Sequence, residues 1–311
     1  MKEPHEPVLV HEVVRHLLSL PHGTYVDGTA GAGGHSLAIG KCLTERGRLI
    51  CLDRDPDAVR LCRKRLTSLG KRVRVLKASY ADLDNILADL GIPAVDGLLL
   101  DLGMSSFQLE KSGRGFSFSR DEPLDMRMDP EEKVTAGHLV NTLSLKDLAG
   151  VFRDYGEEKR AKLVAGAIVK ARRKRPIRLS SQLAVLIQSA FPPSHRFRAR
   201  HPATRTFQAL RIAVNRELEN MGTLLDKLPS MMAKGGRLVV ISYHSLEDRL
   251  VKQAMVSWEG GCTCPPDLPV CACGNIPLLS RCFKKAITPG QGEIERNPRA
   301  RSAKLRAAER I

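Results

Sequence analysis

The residues best placed to do chemistry fall into three groups along the chain. The first is Asp27-Gly-Thr-Ala-Gly-Ala-Gly-Gly-His35, with glycine at positions 28, 31, 33 and 34. Glycine lets a backbone turn sharply and lets a ligand approach without meeting a Cβ. A helix opening behind such a turn offers unpaired N–H groups to a carboxylate or phosphate. The second group is Asp53, which ends the run Arg48-Leu-Ile-Cys-Leu-Asp53 and stands 22 residues beyond Gly31. An acid so placed accepts hydrogen bonds from ribose hydroxyls, charge-assisted bonds of about 1.5–3 kcal/mol each. The third is Asp101-Leu-Gly-Met-Ser-Ser-Phe-Gln-Leu109, directly after an apolar run that begins at Val95. Together the three groups describe a pocket for a nucleoside-bearing cofactor beside a reacting centre.

Two cofactor classes fit that pocket. The dinucleotide fingerprint G-x-G-x-x-G, counted from Gly31 and Gly33, requires a third glycine where this chain has Ser36. That departure argues against a nicotinamide-dependent oxidoreductase, and the shorter loop suits S-adenosylmethionine. Methyl transfer from a sulfonium needs no metal; it needs a nucleophile held close and in line. The exocyclic amine of a base is a poor nucleophile because its lone pair is delocalised into the ring. Acceptors that grip its N–H groups favour pyramidalisation. Asp101, a carbonyl near Leu102–Gly103, and the hydroxyls of Ser105 or Ser106 are the candidates, with Asp101 and Ser105 foremost. Asp101 has the alternative role of a strand-end acid that caps the next turn. Tyr80 is placed either to pack on adenine or to fill the core. His244, in Tyr243-His-Ser-Leu-Glu-Asp248, is a candidate proton acceptor but reads rather as a structural turn residue. Glu247 and Asp248 read as support for the helix N-terminus that follows.

The elements that must position these residues alternate in the α/β manner. Strands are expected at 24–27, 48–53, 73–77 and 95–101, with helices at 34–46, 56–69 and 82–90 between them. That rhythm implies right-handed crossovers and a doubly wound parallel sheet. It stops near Gln108. Residues 113–130 are rich in Gly, Ser, Pro and Asp and read as a loop; 131–191 show helical patterns only, including a capping box at Ser144–Asp147. Leu210, Val214, Leu218, Met221 and Leu225 then fall on one face of a single long helix, and Gly235–Gly236 leads into a further buried strand at 237–242. The expected organisation is one α/β domain in two parts, 1–109 and 206–311, interrupted by an inserted helical domain at 110–205.

Charge separates the same regions. The chain carries a net +16, yet residues 151–216 alone hold sixteen Lys/Arg against three Asp/Glu, and 281–311 hold nine against three. A near-neutral body with concentrated basic regions points to a polyanionic partner such as a large RNA. Solvated helix faces usually mix signs, whereas KARRKRPIR at 170–178 has six basic residues and no acid. Arg172, Arg173, Lys174 and Arg175 are therefore candidates for RNA phosphate contact rather than base readout. Aromatics at 4% argue against a broad base-stacking platform. No apolar stretch approaches the ~20 residues of a membrane span, and the first residues resemble neither a signal nor a transit peptide, so a cytoplasmic protein is expected. Oligomeric state leaves no mark on the sequence. Cys262, Cys264, Cys271 and Cys273 have a spacing that would allow a structural zinc site or simply four reduced thiols. Cys42, Cys51 and Cys62 read as core residues.

The ordered motifs GTAGAGGHS (28–36), LDRD (52–55), LDLGMSSFQLE (100–110), GRGFSF (113–118), LDMRMD (124–129), TRTFQALRIAVNREL (204–218), ISYHSLEDR (241–249) and NPRARSAKLRAAE (297–309) closely resemble the RsmH (MraW) family across essentially the whole chain. These are bacterial S-adenosylmethionine-dependent methyltransferases of small-subunit ribosomal RNA. The resemblance implies a Rossmann-like class I methyltransferase fold with an inserted helical domain. It implies N4-methylation of one cytidine of 16S rRNA at the decoding centre, with the RNA expected within the small ribosomal subunit. It also implies cofactor contacts at Gly33, Gly34, His35, Asp53, Tyr80, Asp101 and Gln108, with Tyr80 standing where Phe is the more common residue. The Pro-Pro-aromatic signature of many amino-methylating enzymes is absent, and Asp101-Leu-Gly stands in its place. Two rivals remain. A thiolate at Cys264 would make the chain a 5-methylcytosine enzyme, and loss of catalysis would leave an RNA-binding assembly factor.

Overall fold

The computed structural model describes residues 7–192, 201–260 and 276–311. The four clustered cysteines at 262–273 lie outside the described residues. Two compact units divide the chain: Met1–Gly103 together with Leu218–Ile311, and Met104–Glu217.

The first unit is built on a seven-stranded sheet. Its strands are β1 (Thr24–Asp27), β2 (Arg48–Asp53), β3 (Val73–Lys77), β4 (Val95–Asp101), β5 (Met232–Ser242), β6 (Leu279–Arg281) and β7 (Lys304–Arg310), in the order β3-β2-β1-β4-β5-β7-β6. β1 to β5 run parallel; β7 pairs antiparallel with both β5 and β6. The strand order reverses between β1 and β4, the point where open α/β sheets bind ligands. β2 and β4 are apolar on both faces because both faces are covered. Leu98 and Leu100 belong to the core on one side, with Leu52, Leu83 and Leu228, and Leu99 to the core on the other, with Leu17, Ile39 and Leu305.

The first four strands fall where the sequence pattern places them, and β5 starts earlier than 237. Its pairing with β4 jumps from Val95–Met232 to Gly97–Arg237, and Gly235, at φ 75°, supplies the left-handed backbone of that bulge. β6 and β7 go beyond the sequence pattern, which reads the end of the chain as a basic tail. The segment enters the sheet because Leu305, Ala307 and Ala308 are buried. Its charges are largely matched: Lys304 Nζ and Arg306 Nε lie 3.1 and 2.7 Å from the two oxygens of Asp248, and Arg237 Nε lies 3.0 Å from Glu309.

The second unit contains helices Ser106–Glu110, Ala136–Thr142, Leu145–Asp154, Ala161–Arg172, Ser180–Ala190 and Thr204–Asn215, and no strand among its described residues. Its core gathers Phe152, Val164, Ile168, Leu183 and Leu210. It takes in residues on either side of the expected 110–205 insertion. The reason at the C-terminal side is a broken helix. The single long helix expected through 210–225 ends at Asn215; Arg216 adopts φ 51°, ψ 39°, and a new helix runs Glu217–Met231. The apolar stripe accordingly serves two cores, Leu210 and Val214 in the second unit, Met221 and Leu225 in the first.

The loop at 113–130 is held by specific bonds rather than by regular structure. Arg114 Nη1 donates to the carbonyls of Arg127 (3.0 Å) and Met128 (2.7 Å). Asn215 donates to Met126 O and accepts from Met128 N, both at 2.8 Å, clamping Met126 at φ 61°. These contacts account for the Gly-Arg-Gly-Phe and Leu-Asp-Met-Arg-Met-Asp motifs as scaffolding.

Candidate active site

The glycine turn lies at the carboxyl ends of β1, β2 and β4, and its backbone ties the three strands together. Gly28 N donates to Leu99 O and Ala30 N to Leu52 O, each at 2.9 Å. Gly31 and Gly33 take φ of 52° and 80°, left-handed values that glycine adopts without strain. At Gly33, which precedes helix Gly34–Cys42, an added Cβ would also come within 3.2 Å of Cys62 Sγ. At Gly28 a Cβ would meet Leu100 Cδ2 at 2.7 Å.

Side chains lock the turn from below. Ser36, fully buried, donates its hydroxyl to Asp27 Oδ2 at 2.6 Å, and Thr29 N donates to Asp27 Oδ1 at 3.2 Å. The residue that departs from the dinucleotide fingerprint thus has a structural task. Burial pushes the Asp27 carboxyl above its usual range, and the Ser36 hydroxyl opposes that shift. Thr29 Oγ1 accepts from Asp101 N at 2.6 Å and joins the turn to the end of β4.

Asp53 sits half-buried at the end of β2. Each of its oxygens accepts one backbone bond, Oδ2 from Gly31 N (2.8 Å) and Oδ1 from Asp55 N (2.9 Å). Each oxygen keeps a lone pair for a further donor. Burial pushes its pKa up to about 6 against those two bonds. Tyr80 is partly buried, opens the short turn Tyr80–Asp82, and lies with its Cβ 3.2 Å from a Cβ built on Gly28.

Asp101 is the second carboxylate of the site, with its side chain 25% exposed. Tyr243 donates its hydroxyl to Asp101 Oδ1 at 2.8 Å, and His35 Nε2 stands 3.4 Å from Oδ2. His35 is only 6% exposed, and neither of its ring nitrogens has a hydrogen-bond partner. A buried polar edge without partners is costly, and here it faces a carboxylate beside a glycine turn. Together with the open lone pairs of Asp53, this suits a cofactor with ribose hydroxyls and a polar amino-acid end. The sequence pattern at this strand end points to His244; the signal for Tyr243 is its place directly after β5. Burial and the Asp101 charge hold the Tyr243 phenol well above its ordinary range, so it remains a donor.

His244 fills the structural role. It caps helix Ser245–Trp258, its Nε2 lies 2.9 Å from Glu247 Oε1, and Glu247 Oε2 accepts from Tyr243 N at 2.8 Å. Asp248 binds β7 through Lys304 and Arg306 instead of serving only its own helix.

The remaining candidates belong to the helical unit. Ser105 and Gln108 form a reciprocal cap: Ser105 Oγ accepts from Gln108 N at 3.2 Å, and Gln108 Oε1 accepts from Ser105 N at 3.0 Å. Arg172 points its guanidinium inward, donating to Val140 O at 2.6 Å and closing the helix Ala136–Thr142, whereas Arg173, Lys174 and Arg175 are exposed. Across 104–217 the unit holds twenty-two Lys/Arg against twelve Asp/Glu.

A β3-β2-β1-β4-β5-β7-β6 sheet with a glycine turn at β1 and an acid ending β2 defines a Rossmann-like class I methyltransferase fold. Comparison with known proteins agrees: the model of the MraW methylase family matches residues 2–311. The chain is 48% identical to the ribosomal RNA small subunit methyltransferase H of Heliobacterium modesticaldum over 311 residues, covering 99% of this chain and 98% of that one. It is 48% identical over 307 residues to the protein of the same name from Syntrophus aciditrophicus, with the same coverage. Among solved structures, an rRNA methylase from Streptococcus thermophilus aligns over 97% of this chain and 93% of that one, at 9% identity and a TM-score of 0.41. The chain belongs to the MraW methylase family.

Proposed function

We propose that this protein transfers a methyl group from S-adenosylmethionine to the N4 amine of a cytidine in 16S rRNA, at the decoding centre and within the assembled small subunit. The observation that carries the reading is the pair of strand-end carboxylates, Asp53 and Asp101, tied to one glycine turn through Gly31 and Thr29. Family membership supports the choice of rRNA. S-adenosylmethionine supplies a methyl group made electrophilic by the sulfonium. Asp53 would accept from the ribose hydroxyls, Gly33 and Gly34 would admit the cofactor, and Tyr80 would pack on the adenine. His35 and Asp101 would bind its polar amino-acid end.

Asp101 has a second part in this reading. Tyr243 fixes one of its oxygens, and the other, 3.4 Å from His35 Nε2, would accept an amine N–H. The target nitrogen would give up its proton through that acceptor as it takes the methyl group. The target base must be unpaired or flipped out for its amine to be reached. Arg173, Lys174 and Arg175 would contact phosphates, which position the RNA without reading it. Such a substrate places the protein in the cytoplasm, and no described helix is long and apolar enough to cross a membrane.

The test incubates the protein with S-adenosylmethionine and small subunits from cells lacking the modification, then reads the digested nucleosides by mass spectrometry. New N4-methylcytidine, absent with Asp53→Ala, is the expected result. 5-Methylcytidine would move the chemistry to Cys264. Cofactor binding with no methylated nucleoside would refute the substrate, and failure to bind the cofactor would leave a non-catalytic RNA-binding protein.

A further inference from the structure

A second site lies at the opposite end of the same strands. A cavity of about 290 Å³ opens at the amino-terminal edge of β2 and β3. Four cations line it, Arg48, Lys71, Arg72 and Arg74, and no acid does. Its floor is apolar, formed by Ile50, Leu90 and Ile92. Arg74 pairs with Ile50 across the β2–β3 ladder, so both side chains point to the same face. The four cations are not equivalent. Arg72 Nη1 donates to Leu43 O at 2.6 Å and is held as part of the wall. Arg48, Lys71 and Arg74 are exposed, and their side chains make no ion pair or hydrogen bond among the described residues. That contrasts with the C-terminal basic segment, where Asp248 and Glu309 neutralise their neighbours.

From Arg48 to Asp53 is five steps along one strand, about 16 Å at 3.3 Å per residue. One nucleotide seated at Asp101 cannot also fill this cavity. We propose that the cavity is a separate phosphate-binding site, taking the sugar-phosphate backbone of an RNA segment remote from the target base or, failing that, a free phosphorylated small molecule. Three convergent cations without acids suit a phosphate, and the apolar floor accepts the attached sugar or base. The RNA source rests on the methyltransferase reading; phosphate binding itself does not.

The test uses the full-length protein and a triple variant, Arg48→Gln, Lys71→Gln and Arg74→Gln, with Arg72 left in its structural role. Inorganic phosphate is titrated into both while the backbone amides of 48–50 and 71–74 are followed by NMR. In parallel, methylation of small subunits is measured from 50 to 200 mM salt, with melting temperature and S-adenosylmethionine affinity as controls that should not move. Releasing three single-strand phosphates lowers the log–log salt slope of RNA affinity by about 2. The wild type should then lose about fifteen-fold more affinity across that range than the variant. A changed slope assigns the site to RNA; phosphate-dependent amide shifts in the wild type with an unchanged slope assign it to a free phosphorylated ligand. If neither effect is seen, the proposal is overturned, and the cations only guard the edge strand β3 against pairing with other chains. If wild-type protein methylates no RNA, the methyltransferase reading fails while the phosphate titration still decides this one.

Discussion

Asp53 makes cofactor affinity depend on pH within a range where an ordinary aspartate would be silent. Its carboxyl is pushed up to about 6 from an ordinary 3.8 by burial. Ribose hydroxyls donate to the ionised form, so binding requires the proton to leave first. At pH 7.5 nearly all of the free protein is ready to bind; at pH 5 only about one molecule in eleven is. The dissociation constant for S-adenosylmethionine, read by isothermal titration calorimetry, should therefore rise about tenfold between pH 7.5 and pH 5. A group at 3.8 would change it by less than about 10%. Asp53→Asn should bind more weakly at every pH and show no such slope. The same shift acts on stability with a definite sign. Between pH 3.8 and about 6 the native protein holds this proton more tightly than the unfolded chain, so the group's contribution to stability is lost as pH rises through that window. Asp53→Asn should thus stabilise the cofactor-free protein at pH 7.5 by up to about 3 kcal/mol, less the backbone bond that the amide nitrogen cannot accept. An affinity that stays flat from pH 7.5 to 5 would refute the reasoning.

Three other substitutions test other parts of the structure. Gly33→Ala forces a φ of 80° on a residue with a Cβ and brings that Cβ to 3.2 Å from Cys62 Sγ; thermal denaturation should show the protein destabilised by about 1–2 kcal/mol or more, the cost of a left-handed alanine alone. Tyr243→Phe removes the donor to Asp101 Oδ1, and loss of one bond to a charged group, about 1.5–3 kcal/mol, should lower kcat/KM by roughly ten- to a hundredfold with the melting temperature nearly unchanged; full activity would show that Asp101 needs no fixing. Asn215→Ala leaves Met128 N and Met126 O buried without partners, at about 1–3 kcal/mol for each group, so urea denaturation should show the helical unit destabilised by at least about 2 kcal/mol.

The site was legible in the sequence wherever chemistry and secondary structure coincide. A glycine turn after a short apolar strand, an acid ending the next strand and an acid ending the fourth are local patterns, and their strand ends fix where they meet. What escaped depends on partners far along the chain. Lys304–Arg310 reads as a basic tail because its charges are visible and their partner Asp248 is not. Leu210 to Leu225 reads as one helix because periodicity is blind to a single left-handed residue, Arg216, that turns the stripe toward two different cores. Arg172 is indistinguishable in sequence from Arg173, yet only the first has helix carbonyls within reach. Tyr243 gains its role only when β5 is laid beside β4, 142 residues from Asp101.

The pairing of β4 with β5 also sets an order of events during synthesis. β4 ends at Asp101, and the strand that covers its open edge is complete only at Ser242. At roughly 5–20 residues per second, a ribosome needs about 7–28 s to make the intervening chain. The helical unit is continuous in sequence and finishes emerging before β5 does. Once Glu217 is made, for the last 25 residues of that interval, the nascent protein carries a complete helical module and a half-built sheet whose hydrophobic strand β4 is paired on one edge only. The insertion thus makes vectorial folding helix-first, with the cofactor-binding half, whose first residues emerge earliest, the last part to close.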